Sequence, residues 1–245
     1  MNTQIQQQQV GGLERATQKG TDGLDHIGQN FNEGYFEDVL GGLAKRTVTD
    51  LRERVTRLND RRETFNPKLT AAQNCENLKT DVKNFDEHSV REMNRVANEF
   101  KREITALETT LNDDANLYQK SERILSIAGS FYGLSKAEQQ KAITEALEED
   151  DGPMLAVLIN SSKVETGLSK AEREFIRRRA WEKANPNGVR SLDELREKSE
   201  RWEAGCYGMV NVKQKLASEL NRYDADIARA EAVHGNRKPS AGFVS

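Results

Sequence analysis

The chain has 245 residues, of which 31% are charged and 36% hydrophobic, and its mean hydropathy is −0.81. This composition is too polar for a thick globular core and is typical of elongated helices that each bury one apolar stripe. The 37 basic and 40 acidic residues give a net charge of −3, which lacks the basic excess of a large nucleic-acid-binding surface. Only four prolines occur, so long helices can continue without interruption.

The N-terminus does not look like a signal peptide, and no segment is expected to span a membrane. The N-terminal sequence MNTQIQQQQVGG lacks the basic and apolar regions of a signal peptide, and no stretch approaches 18 apolar residues. Residues 1–22 are rich in Gln, Gly and Thr, which predicts a flexible arm, and residues 235–245 are predicted to be a disordered tail. Cys75 and Cys206 match no disulfide framework or metal motif and are predicted to pack as small apolar side chains.

Residues 23–118 are predicted to contain amphipathic and coiled-coil helices. In residues 24–43 apolar side chains recur every three or four positions, which predicts a helix, although four glycines weaken it. Residues 44–65 carry a second stripe in a densely charged segment, and Pro67 marks a break before the next helix. Residues 69–118 keep the alternation for several heptads, which predicts one helix of about 40–50 residues that pairs with another helix.

Residues 119–190 change character and are predicted to form a compact domain of short helices. The hexapeptide GLSKAE occurs twice, at residues 133–138 and 167–172. In each copy the glycine can end a helix in a left-handed conformation, and the serine and glutamate can form the capping box of the next helix. Gly152 and Pro153 are predicted to open a further short helix.

Residues 191–234 are predicted to form a long helix that returns along the first one. Ser191 and Glu194 match a third capping box, and apolar residues then recur at helical spacing up to Ala230. We therefore predict an all-α fold, a long antiparallel coiled coil or helical bundle with a compact short-helix domain at one end. The same stripes would also suit association between copies of the chain, and the sequence alone does not decide between these pairings.

The sequence contains no recognisable catalytic motif, so we expect a non-enzymatic protein without a cofactor or metal. The phosphate-binding loop patterns, the GxSxG motif and the HExxH motif do not occur. Glu231 and His234 form a single ExxH, whereas a di-iron bundle uses two. His88 lies in a charged run and is predicted to be a solvated surface residue.

Two segments are candidates for binding. Residues 170–184 carry a cluster of basic residues after a glycine-containing turn, which would suit a helix-turn-helix contact with nucleic acid, or else a solvated or protein-facing helix. Aromatic residues near the N-terminus would anchor on a protein partner or dock onto the chain's own bundle. The nucleic-acid candidates are Arg173, Arg177, Arg178, Arg179 and Lys183, and the partner-binding candidates are Phe31, Tyr35 and Phe36.

The stretch DGPMLAVLINSSKVETGLSKAEREFIRRRAWEKANP, residues 151–186, combines an apolar LINS helix with a GLS turn into a charged helix. In this it resembles small helical coiled-coil proteins encoded beside capsid genes in tailed bacteriophages. The resemblance implies a virion-associated or head-assembly role and carries no catalytic residue. Scaffolding proteins share the charged, helical and cysteine-poor composition.

The expected function is structural. We predict a protein of the virion or the host cytoplasm that acts through coiled-coil and helix contacts, either with copies of itself as a homo-oligomer or with other virion proteins. The alternative is nucleic-acid binding through the basic segment 170–184.

Overall fold

The computed structural model describes residues 33–63, 66, 68–117 and 124–235, and these ranges contain helices and no strand. The all-α prediction is confirmed. The arm 1–22, nearly all of the tail, Phe31, Phe65 and Pro67 lie outside the described residues. The helices are α1 Leu43–Glu63, α2 Ala71–Asp114, α3 Ile124–Tyr132, α4 Lys136–Glu148, α5 Gly152–Asn160, α6 Lys163–Thr166, α7 Lys170–Ala184 and α8 Pro186–Gly235.

The chain divides into two compact units. Unit 1 comprises Met1–Glu99 and Lys198–Ser245, and unit 2 comprises Phe100–Glu197. Unit 1 therefore holds α1, most of α2 and most of α8. Unit 2 holds the short helices α3 to α7, together with the last part of α2 and the first part of α8.

Within unit 1, α2 and α8 pair in antiparallel orientation. Lys79 forms an ion pair with Asp224 at 2.8 Å, whereas further along α2 the carbonyl oxygen of Met93 accepts a hydrogen bond from the Trp202 indole at 3.3 Å. Residue numbers therefore rise along α2 while they fall along α8. The facing stripes are buried as predicted, with Leu78, Val82, Phe85, Met93 and Val96 on α2 and Trp202, Met209 and Leu220 on α8. The side chains of Leu216, Tyr223, Ile227 and Ala230 lie outside the described residues.

Helix α1 adds its own buried stripe to unit 1, formed by Val48, Leu51, Val55 and Leu58. On α2, Cys75 is fully buried, which confirms it as a core side chain, and burial raises the pKa of its thiol. Cys206 is partly exposed, and both cysteines are free thiols.

His88 is not the solvated surface residue that the sequence predicted. Its side chain is only 19% exposed, and its Nε2 lies 2.8 Å from Asp50 Oδ2 on α1, while Arg91 approaches Nδ1 at 3.1 Å. Burial alone raises the pKa of Asp50, but hydrogen bonds from Arg54 and His88 outweigh burial and hold it below its usual value. The charged run around His88 concealed this contact, because its partner lies 38 residues earlier in the chain.

The helix predicted over residues 24–43 is wrong in its described part. Residues 33–42 form two 3₁₀ turns, Glu33–Phe36 and Val39–Gly42, and α1 begins only at Leu43. Leu40, Gly41 and Gly42 have positive φ angles of 55°, 57° and 75°. Glycine adopts this left-handed region without steric cost, so the Gly41-Gly42 pair favours a turn over a continuous helix.

Unit 2 is organised around the apolar helix α5. Leu155, Leu158 and Ile159 of this helix are buried and belong to one core cluster with Phe131 and Leu168. The core also includes Leu111 and Leu117 from the end of α2 and its following turn, Ile176, Ala180 and Trp181 of α7, and Val189 and Leu192 of α8. The predicted compact domain of short helices thus has its own core.

The capping boxes of both GLSKAE copies are confirmed. Ser135 and Glu138 cap α4, and Ser169 and Glu172 cap α7, with the side chain of each serine accepting from the glutamate N–H. Gly167 adopts the predicted left-handed conformation, with φ of 75°. Gly133, its counterpart in the first copy, does not have a positive φ. Among the described glycines only Gly41, Gly42 and Gly167 have one.

The predicted start of the last helix is wrong by five residues. Helix α8 begins at Pro186, and Ser191 lies inside it rather than at its N-cap. The side chain of Asn185 accepts a hydrogen bond from the Gly188 N–H at 2.7 Å and so caps the helix. Proline at the first helical position is pre-organised for helix, and the Asn-Pro pair was the sequence signal for this start.

Candidate protein-binding cleft

The basic helix predicted to meet nucleic acid is α7, and its cations are bound within unit 2. Arg178 donates to both carboxylate oxygens of Asp193, at 3.0 and 2.7 Å, and its Nε donates to Glu182 at 2.9 Å. Hydrogen bonds from Arg178 lower the pKa of Asp193. The remaining arginines are held in the same way: Arg173 donates to the Ser161 carbonyl, Arg177 pairs with Glu174, and Arg179 pairs with Glu182.

Lys183 has a structural role at the end of α4. Its ammonium group donates to the carbonyl oxygens of Leu147 and Glu148 at 2.9 and 2.7 Å, and it pairs with Asp150 at 2.8 Å. These carbonyls lack partners inside their own helix, so the lysine caps its C-terminus. Each of the five predicted nucleic-acid-binding side chains thus has a partner in unit 2, and the partners of Arg177 and Arg179 lie within α7 itself.

We expect the Asp193→Asn variant to lose stability at neutral pH and to match the parent chain at low pH. Because the folded pKa of Asp193 lies below its ordinary value of 3.8, its contribution is present above that value and is lost as the pH falls through the folded pKa. Urea unfolding followed by circular dichroism at pH 7 and near pH 2 measures this difference. Asp113→Asn, which changes an exposed carboxylate of the same unit, is the control, and an equal loss in both variants would contradict the prediction.

The N-terminal aromatic residues that the structure describes lie in different environments. Phe36 is only 2% exposed and meets the Trp202 ring edge-on at 5.4 Å, so it packs in the core of unit 1 and is not available to a partner. Tyr35 is about half exposed, with the Arg201 guanidinium 4.5 Å from its ring centre. Phe36 was therefore wrongly predicted to bind a partner, and it follows the alternative of docking onto the chain's own helices. Tyr35 stays a surface candidate, and Phe31 lies outside the described residues.

Unit 2 has a partly apolar cleft between α4 and α7, which we call the α4–α7 cleft. The pKa of Glu172 is lowered mainly by hydrogen bonds from Ser169, and the nearby Lys136 at the start of α4 lowers it further. Lys183 near the end of α7 caps the end of α4, so the two helices are parallel. The cleft has a volume of about 500 Å³. Its walls are Lys136, Gln139, Gln140, Ile143, Thr144 and Leu147 of α4, and Ala171, Glu172, Phe175 and Ile176 of α7, with Leu168 between them.

The α4–α7 cleft has a buried apolar floor and an exposed aromatic edge. Leu168 and Ile176 are buried, and Ile143 and Leu147 are partly buried. Phe175 is 57% exposed, with the Arg179 guanidinium 5.4 Å from its ring centre. A large aromatic side chain at the edge of an apolar cleft is typical of a binding surface.

Gln139 is a buried polar residue of the cleft wall. Its side chain is 94% buried, since 6% of the residue is exposed, and its Nε2 donates to the Phe131 carbonyl at 3.0 Å. Its Oε1 has no hydrogen-bond partner among the described residues. A buried acceptor left without a donor costs about 1–3 kcal/mol.

The two ends of the α4–α7 cleft differ in charge. Lys136, Lys163 and Lys170 lie at the N-terminal end, where the carboxylates of Glu138 and Glu172 accept N–H groups in the capping boxes. At the other end the exposed carboxylates Glu148, Glu149 and Asp150 follow one another, and of the three only Asp150 pairs with Lys183. Among the residues that line the cleft itself, only Lys136 and Glu172 are charged, and they lie together at its N-terminal end.

Two other apolar side chains of unit 2 are more than half exposed. Val164 is 86% exposed on α6, and Tyr132 is 59% exposed at the end of α3. A Cβ placed on Gly167 would lie 3.6 Å from the Tyr132 ring, and the next residue, Leu168, lines the cleft. Tyr132 therefore lies near the turn that precedes Leu168.

The cleft was not predicted from the sequence, although a signal for it exists. Residues 136, 139, 140, 143, 144 and 147 recur at helical spacing and so share one face of α4. Phe175 and Ile176 are adjacent on α7, and neighbouring residues on a helix point about 100° apart, so only one of them could reach the core. What the sequence could not indicate was that α4 and α7 are parallel neighbours.

Unit 1 also has a groove, of about 470 Å³, along α2 and α8. It is lined by Lys79, Val82, Lys83, Asp86, Val90, Gln214, Ala217, Leu220 and Asn221. Lys79 is held by Asp224, and several side chains of this stretch of α8 lie outside the described residues. The α4–α7 cleft, whose lining is described throughout, is therefore the better-defined site.

In the described ranges no group of three or more His, Cys, Asp or Glu side chains could hold a metal ion, and no helix is long and apolar enough to cross a membrane. Comparisons of the chain with models of protein families, with curated proteins and with solved structures give no match. Function must therefore be argued from the residues of the cleft.

Proposed function

We propose that the chain is a non-enzymatic assembly protein that binds another protein through the α4–α7 cleft. The observation that carries this proposal is the exposed Phe175 beside a buried apolar floor. In unit 1 the described stripe residues of α2 and α8 are buried within the chain. The cleft, by contrast, leaves apolar surface for a partner, and apolar surface of this kind supplies most of the affinity of protein contacts.

We place this activity in virion assembly because of where the resembling segment lies. Residues 151–186, which resemble phage head-gene proteins, include α5, α6 and α7. They therefore supply one wall of the cleft, together with its edge residue Phe175. The partner is then another virion protein, and a second copy of the chain is the alternative that light scattering distinguishes.

We expect the Phe175→Glu variant to weaken binding of that partner at least tenfold, because it places a charge on the apolar edge of the cleft. The measurement is size-exclusion chromatography with light scattering, in which the full chain is mixed in turn with each protein encoded beside its gene. The expected result is a stable complex with one of them that Phe175→Glu disrupts. A monomer that forms no complex with any of these proteins would overturn the proposal.

Val164→Glu is the matched control for this test. It introduces the same charge at a more exposed apolar residue of unit 2 that does not line the cleft. The control chain should bind as the parent chain does. Equal loss in both variants would mean that the partner binds elsewhere on unit 2 or that added charge alone disrupts the complex.

A further inference from the structure

We infer that two copies of the chain associate through the groove between α2 and α8 of unit 1, with α2 of each copy lying antiparallel in the groove of the other. This dimer goes beyond the proposed function and does not use the α4–α7 cleft, because every residue that lines the groove belongs to unit 1. The position of the groove, the apolar surface along it and the order of charges on α2 support the dimer.

The groove lies on the side of α2 that points away from α1. Helix α1 contacts α2 at His88, whereas Asp86 and Val90, two residues to either side of His88, line the groove. Residues two positions apart on a helix point about 200° apart, so the two contacts lie on opposite sides of α2. The described part of α1 therefore leaves this face of the α2–α8 pair uncovered.

Apolar surface is exposed along this face. Val90 lines the groove and is 39% exposed. Tyr207, which is 73% exposed, lies seven residues before the groove residue Gln214, and residues seven apart share one face of a helix. Lys79 is held by Asp224, so its aliphatic stem lies along the groove and adds to the apolar surface. A helix lying in the groove would cover Val90 and this stem.

The charges on α2 are complementary to themselves in an antiparallel pair. Lys83 and Asp86 are about one turn apart on the groove side, and Lys83 is 76% exposed, with only a surface ion pair to Glu87 at 3.9 Å. In a two-fold pair whose axis passes between them, Lys83 of each copy lies opposite Asp86 of the other. A parallel pair would oppose like charges at both positions, which weakens an interface. The charges therefore favour a second copy as the occupant and set its direction.

The same two-fold axis also matches the rest of this face of α2. It places Val90 of one copy opposite the stem of Lys79 of the other, which is an apolar contact. Ala72 lies seven residues before Lys79, and Ala97 lies seven residues after Val90, so the axis brings these two partly exposed alanines opposite each other. Small side chains at both ends let two helices approach closely, here along about 38 Å of α2 at 1.5 Å per residue.

Reversed charges on separate chains test the dimer. In Lys83→Glu the new carboxylate lies opposite Asp86 of the second copy, and in Asp86→Lys the new ammonium group lies opposite Lys83. Each variant alone should therefore dimerise at least tenfold more weakly than the parent chain. An equimolar mixture of the two should recover the dimer, because opposite charges then face each other at both positions. Sedimentation equilibrium of the full chains measures the dissociation constants.

Arg57→Glu and Glu53→Lys are the matched controls. They reverse the charges of an exposed ion pair on α1 that does not line the groove, so each should dimerise as the parent chain does. Circular dichroism checks that all four variants are folded. The inference would be overturned by a monomeric parent chain, by equal weakening in the controls, by groove variants that dimerise as strongly as the parent, or by a mixture that stays monomeric.

The dimer and the proposed function fail in distinguishable ways. Phe175→Glu changes unit 2 and should leave dimerisation unchanged, so a loss of the dimer in this variant would overturn the groove as the interface. A parent chain that dimerises through the groove but binds no neighbour-encoded protein would keep the dimer and reject the assembly function. A monomeric parent chain that binds such a protein through the α4–α7 cleft would do the reverse.

Discussion

The Trp202→Ala variant is expected to lose about 3–5 kcal/mol of the free energy of unfolding, the range measured for truncation of large buried aromatic residues. Trp202 is fully buried in unit 1, its indole N–H donates to the Met93 carbonyl, and its ring meets Phe36 edge-on. Removing it leaves a cavity where α2, α8 and the N-terminal turns meet. Urea unfolding followed by circular dichroism at 222 nm measures the loss.

Tyr207→Ala is the matched control for this variant. It truncates an aromatic residue on the same helix that is 73% exposed, and such surface changes alter stability by about 0.5 kcal/mol or less. A loss below about 1 kcal/mol for Trp202→Ala would contradict the position of Trp202 in the core.

Much of the fold could be predicted because helical periodicity is a local signal. The stripes of α1, α2 and α8 were identified from spacing alone, and both capping boxes followed from serine and glutamate three residues apart. The errors arose where two local signals competed. Ser191 and Glu194 have the spacing of a capping box, but Asn185 and Pro186 start the helix earlier, and a helix that has already begun does not need a second cap.

The candidate site was much less predictable, because it depends on pairs that are distant in the chain. Arg178 and Asp193 are 15 residues apart, and Lys183 and Leu147 are 36 apart. These contacts connect Arg178 and Lys183, two of the cations that suggested nucleic-acid binding, to other elements of unit 2. They also bring α4 beside α7 and so create the cleft, whose lining residues have no motif of their own.

The Gly152→Ala variant is expected to destabilise unit 2 by about 1–3 kcal/mol, the usual effect of overpacking. A Cβ on Gly152 would lie 2.4 Å from the Asn116 carbonyl oxygen and 2.9 Å from its Cβ. Asn116 cannot easily retreat, because it adopts a φ of 52° and the next residue, Leu117, donates to the Asn112 carbonyl at 2.9 Å. Asn112 in turn accepts a hydrogen bond from the Trp181 indole. The start of α5 therefore approaches the end of α2 too closely for any side chain.

Gly129→Ala, the same substitution at another glycine, is expected to change stability in the opposite direction. Gly129 lies inside α3, and a Cβ there meets no described atom within 4 Å, so alanine should stabilise the helix by about 0.5–1 kcal/mol through its lower backbone entropy. In a Trp202→Phe background, Trp181 is the only tryptophan and its fluorescence reports the unfolding of unit 2 in urea. Shifts of equal sign in the two variants would contradict the close approach at Gly152. Opposite signs would show that contact with Asn116, rather than helix propensity, requires glycine at this position.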